Sequence, residues 1–83
     1  MPLLEPEQIE ESDIKRYVDE SRVFEIIARA SVVGAWELVV RSTLGDQVLA
    51  RQRGGVRQFS SLDAIANIVR NAGLTRFSVD VQG

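Results

Sequence analysis

"RQFSSLDAIANIVRNAGLTRFSVDV", residues 57–81, reads as a strand, a capped helix and a second strand. Ser60 is placed to cap the helix, and Asp63 stands three residues on, where a capping-box acid sits. Leu62, Ile65, Ala66, Val69 and Ala72 fall three or four apart on one apolar face, and Gly73 suits the residue just past a helix C-terminus. Phe77, Val79 and Val81 then alternate with Ser78 and Asp80, the period of a half-buried strand. A helical connection makes this closing strand parallel to the strand it joins beside.

Working back from residue 57, the period is again two. Trp36, Leu38 and Val40 alternate with Glu37, Val39 and Arg41, TLGD at 43–46 supplies a turn, and Gln47–Arg53 is a second strand. Gly54-Gly55 is a second tight turn before a third strand, Val56–Phe59, so the three predict an antiparallel meander. The crossover helix returns past this meander, which places the closing strand beside the first in the order 4-1-2-3.

The N-terminal part predicts helix. Pro2, Pro6 and the surrounding glutamates describe a frayed acidic start over residues 1–11, and a single domain over 12–83 follows, with helix from Glu7 or from Ser12 as N-cap. Ile14, Tyr17, Val18, Ser21, Phe24, Ala28 and Ser31 share one stripe that runs to Gly34. Ser21 interrupts the stripe, while Val23, Ile26 and Ile27 widen it. Either the helix breaks near Glu20 into a pair, or its second half is buried on more than one side. Val23, Phe24, Ile26 and Ile27 exceed what one helix face needs and are the expected contact with a second copy. The fold class expected is therefore α+β in the order α-β-β-β-α-β, with the helices on one face of a four-stranded sheet.

A chain of 83 residues buries roughly 60 to 65% of its unfolded surface, near the lower limit for a single core. With 45% apolar and 27% charged residues it has the composition of a globular protein. It contains no cysteine, so no disulfide can staple the small core, and homodimerisation is the expected alternative. The start, MPLLEPEQIEE, lacks a basic region followed by an apolar one, and no apolar stretch is long enough to span a bilayer. A cytoplasmic protein of a prokaryotic kind, without a membrane partner, is the expectation.

Histidine is absent along with cysteine, which removes the usual base from nucleophilic catalysis and leaves carboxylates alone to bind a metal. Glu10, Glu11, Asp13, Asp19 and Glu20 lie on a short charged segment with no apolar pocket to raise a pKa, so they read as a solvated helix face. Gly54-Gly55 has no lysine behind it and no phosphate-loop spacing. Trp36 and Tyr17 are assigned to the core, and Asn67 and Asn71 to the solvent side of their helix. The expected protein is not an enzyme and has no cofactor or metal.

Charge is divided along the chain. Residues 1–35 carry four basic and eight acidic side chains, whereas the remainder carries six arginines against four acids. Arg41, Arg51, Arg53 and Arg57 come from the three meander strands, and those sharing a face would form a cluster able to meet phosphates or guanine edges, since a narrow sheet can enter a major groove. Arg51 and Arg53 share a face; Arg41 joins them only in the register that turns Glu37, Val39 and Arg41 outward together. DNA binding through this cluster is the alternative to a protein-binding role.

The arrangement "WELVVRS", a hairpin, then "ARQRGGVRQFSSLDAIANIVRNAGLTRFSVDV" resembles the small ParC-type partition-associated proteins encoded with plasmid partition genes, where an F-x-SLDA helix start precedes a G-x-x-x-F-x-V strand. The likeness covers residues 23–81. It implies an accessory role in plasmid or mobile-element maintenance, beside the partition ATPase and its centromere-binding protein, and carries no catalytic residue across. The strands at 36–59 with a helix behind them are also similar to the sheet modules at the N-termini of phage integrases, but those modules are richer in lysine. A double-stranded-RNA-binding domain shares the helix-strand-strand-strand-helix order, yet its last helix starts with lysines where this one reads SSLDAIAN.

Overall fold

The closing helix and the final strand form as their periodicity predicts, and the ends of the helix show why. The structure, a computed structural model, describes residues 8–31, 34–51 and 55–81. The second helix runs Leu62–Asn71, with Ser61, not Ser60, as N-cap: its side chain accepts a hydrogen bond from the Ala64 backbone N–H at 3.3 Å. That puts Asp63 in the first turn, where its charge meets the positive end of the helix dipole, and not at the capping-box position. At the other end Gly73 takes φ +95°, its N–H donating to Arg70 and that of Leu74 to Val69. These are the paired bonds of a Schellman motif, which needs the left-handed residue that glycine supplies without strain.

In chain order the elements are β1 (Gln8–Ile9), α1 (Glu11–Asp19), β2 (Val23–Ala30), β3 (Trp36–Ser42), β4 (Gly45–Leu49), α2 (Leu62–Asn71) and β5 (Ser78–Asp80). The fold is α+β with a five-stranded mixed sheet in the order β1-β4-β3-β2-β5. β2–β3 and β3–β4 are antiparallel; β1 lies parallel to β4 and β5 parallel to β2.

Three expectations are corrected. First, residues 23–30 form a strand. VFEIIARA is rich in β-branched residues, and pairing with β3 sends Ile26 and Ala28 to one face and Ile27 to the other; a 3–4 spacing over so short a stretch also fits a period of two. The break anticipated near Glu20 is real. α1 stops there because Ser21 adopts φ +58°, with Ser21 N–H donating to Val18 and Arg22 N–H to Tyr17. Second, residues 8–11 are part of the fold: Ile9 is buried in β1, and Glu10 is the N-cap of α1, its own N–H donating to the Asp13 carboxylate at 3.3 Å. Residues 1–7 lie outside the described residues. Third, the closing strand does not sit beside Trp36–Val40. The newly recognised β2 stands between them, so the order 4-1-2-3 gains a strand.

The third meander strand is reduced to two bridges, Ala50 with Val56 and Trp36 with Phe59. β4 parts from β3 after Val48, and residues 56–59 enter the gap: Arg57 N–H donates to Leu49, while Trp36 and Phe59 exchange both backbone bonds at 2.8 Å. Both helices cover the same face. Ile14 of α1 and Ile65, Ile68 and Val69 of α2 pack with Ile26, Ala28, Leu38, Val40 and Leu49 of the sheet, and Tyr17 and Trp36 lie half-buried against this core.

Two consequences follow for stability. Ser61→Ala should cost about 1 kcal/mol by urea unfolding, whereas Ser60→Ala should stay within about 0.5 kcal/mol; equal costs would move the cap back to Ser60. Ser21→Gly should stabilise by about 1 kcal/mol, because glycine accepts the left-handed conformation at no steric cost. A loss of stability in that variant would contradict the positive φ.

Candidate functional site

The face of the sheet turned away from the helices carries two rows of charge with an apolar row between them. In the first row Arg41 of β3 stands between Glu25 of β2 and Asp46 of β4. Its guanidinium donates to Asp46 at 3.1 Å and reaches Glu25 at 3.3 Å. The hydrogen bond to Asp46, with the attraction of both carboxylates, holds the Arg41 pKa above its ordinary value. The Ser78 hydroxyl of β5 also donates to Glu25. In the second row Arg29 donates to Glu37 at 2.7 Å, and Ser31 and Gln58 donate to the same carboxylate at 3.2 and 3.5 Å. Between the rows Ile27, Val39 and Val48 align across β2, β3 and β4; Val39 and Val48 are only 4% and 3% exposed.

This geometry divides the expected arginine cluster. Arg41 faces the first residues of β4, whereas Arg51 lies beyond its last, about 16 Å along the strand from Arg41's partner Asp46 at 3.3 Å per residue. Arg53 falls outside the described residues. Arg51 and Arg57 do meet, in an open groove of about 740 Å³ with Glu10, Glu11, Ser12 and Lys15 from the start of α1 and Asn71 and Ala72 from the end of α2. Arg57 bonds to Glu11 at 3.1 Å and its guanidinium stacks 4.9 Å from the centre of the Phe59 ring. The groove therefore holds three cations and two acids. Sequence reasoning missed Lys15 and Glu11 here, since contact between positions 46 residues apart leaves no periodic signal.

The four residues expected at a helical interface also separate. Ile26 is buried in the core, Val23 and Ile27 are half-buried, and Phe24 alone projects, at 69% exposure, from the irregular register at the start of β2. Val79 and Val81, on β5 and just after it, are also exposed, at 46% and 70%, as is Leu44 on the β3–β4 turn, at 48%. Among the described residues no three metal-binding side chains are gathered to hold an ion, and no helix is long and apolar enough to cross a membrane.

Compared with known proteins, the chain matches the ParC-like family model over residues 9–83, which takes in every element from Ile9 of β1 onward. No curated protein and no solved structure matches it.

Any affinity for DNA should be modest and strongly localised. Arg41 is already held by two carboxylates, so Arg41→Ala should leave binding to duplex DNA unchanged. Lys15, Arg51 and Arg57, offset by Glu10 and Glu11, would give a log-log salt slope of about -1 to -2, of which Arg51→Ala should remove about 1. A larger loss from Arg41→Ala than from Arg51→Ala would instead make the outer face the contact surface.

Proposed function

The chain belongs to the ParC-like family, and from that premise we propose that it is a non-enzymatic accessory module of plasmid or mobile-element maintenance. It acts through protein-protein contact within a partition assembly and works as a homodimer. The observation that carries this reading is the family match across the whole two-helix sheet. The distribution of polar and apolar groups supports it: on the outer face Arg29 and Arg41 are spent on neighbouring carboxylates, while Phe24, Val79 and Val81 hold apolar surface in water near one side of the sheet. Buried cores of interfaces favour apolar and aromatic groups over charged ones. A role without catalysis is supported by a sequence that has neither histidine nor cysteine.

A second reading, contact with DNA in the cytoplasm, draws on the groove that joins Lys15, Arg51 and Arg57. It accounts for the basic C-terminal half but leaves the exposed apolar residues without a purpose. Protein contact gives those apolar residues a purpose.

The test is genetic and biochemical together. Deleting the gene from its replicon should raise plasmid loss per generation several-fold without changing copy number. The purified protein should bind the partition ATPase or the centromere-binding protein encoded beside it, with a Kd of about micromolar strength. Unchanged plasmid loss together with no binding to either protein would overturn the proposal.

A further inference from the structure

The sheet ends in two edges that are defended very differently. β1 has only two residues, and in sequence it is preceded by Pro6 and Glu7 and followed by Glu10 and Glu11. Short length, proline and charge are the means by which natural sheets keep an edge from pairing with another chain. β5 is also short, at three residues, but it has no proline and its one charge is flanked by valines. It is the outermost strand, paired only with β2 among the described residues, and between Phe77 and Val81 it contains no lysine, no proline and a single charge, Asp80. Its apolar side is not used up by the core either. Phe77 packs against the core, but Val79 and Val81 overhang it in solvent.

We infer that β5 is the dimer seam: its outer edge pairs antiparallel with β5 of a second copy, in the register centred on Val79, and joins two five-stranded sheets into one of ten. This deepens the homodimer reading above and rests on it. The register follows from the residues. Centring on Val79 overlays the whole of Ser78–Asp80 on its counterpart, sets Val79 against Val79 and Phe77 against Val81 on the helix side, and places Asp80 across from Ser78 on the other side. Such direct cross-strand pairs are the unit of sheet stabilisation, and like charges there are destabilising. Moving the centre to Asp80 would set the two carboxylates against each other. Moving it to Ser78 would carry the pairing back to Thr75 and Arg76, further outside the strand.

Sedimentation equilibrium from about 5 to about 500 μM tests the seam by mass action. The wild-type chain should be a reversible dimer, and Val79→Lys combined with Val81→Lys should weaken it at least about tenfold, since lysine on an exposed edge blocks pairing, with an unchanged circular dichroism spectrum. A wild-type dimer that the double variant matches would overturn the seam and leave the dimer standing. A wild-type monomer throughout would overturn both. Should the double variant fail to fold, single cysteines decide, because the chain has no other thiol. Val79→Cys should form an interchain disulfide much faster than Leu44→Cys, on the exposed β3–β4 turn, and faster than Ser78→Cys; equal rates at the three positions would overturn the seam.

Discussion

Everything in this fold depends on two crossovers that run the same way. β1 connects through α1 to β2, and the 56–59 segment connects through α2 to β5; in each case the chain leaves on the β1–β4 side of the sheet and returns on the β2–β5 side, parallel to where it started. Strand-helix-strand connections are right-handed in nearly all proteins because the strand twist and the helix twist fit together only that way. Two crossovers of one hand and one direction must lie on one face. So α1 and α2 share a side, Ile14 and Ile65 meet the same sheet residues, and the chain has one core.

The opposite face is left without a helical layer, and its composition answers that condition. An uncovered sheet of apolar residues would be an aggregation surface. Here each cross-strand row that flanks the apolar centre consists of opposite charges: Glu25, Arg41 and Asp46 in one, Arg29 and Glu37 in the other. Exposed ion pairs contribute little individually. Their value lies in register, because slipping β3 by one residue would bring Arg41 onto the core side and carry Leu38 and Val40 into water. The same rows leave Arg29 and Arg41 paired with carboxylates within the sheet.

The second half of the chain was legible because its signals were local and agreed with one another. The period of two at 36–41, the cap serines, the apolar face of α2, Gly73 and the alternation at 77–81 each specify the same elements, and the class, α+β with both helices on one face, follows from them. The first half was misread where local signals conflicted. Ile26 and Ala28 are placed by a partner strand ten or more residues away, and a helical stripe and an alternating one share enough positions over eight residues to be confused. Ser21, in a glycine's conformation, left the break near Glu20 as only one of two readings. The site suffered for the same reason: Val23, Phe24, Ile26 and Ile27 make a continuous face only on a helix, and on a strand they divide between core and solvent. The arginines were displaced by the early departure of β4 from β3, which no residue in 45–51 announces.

Size links the fold to its mode of action. A domain this small retains little stability beyond its core, and it has no disulfide to add any. Its helices occupy one face and ion pairs neutralise the other, which leaves the edges as the places where further apolar area can be buried. Of the two, β1 is cut short by the acidic start of α1, while β5 comes last in the chain, after the core has been closed by α2. Phe77 packs against the core, while Val79 and Val81 remain exposed beyond it. Under the accessory role proposed above, an edge left open in this way is where a further strand can add to the sheet.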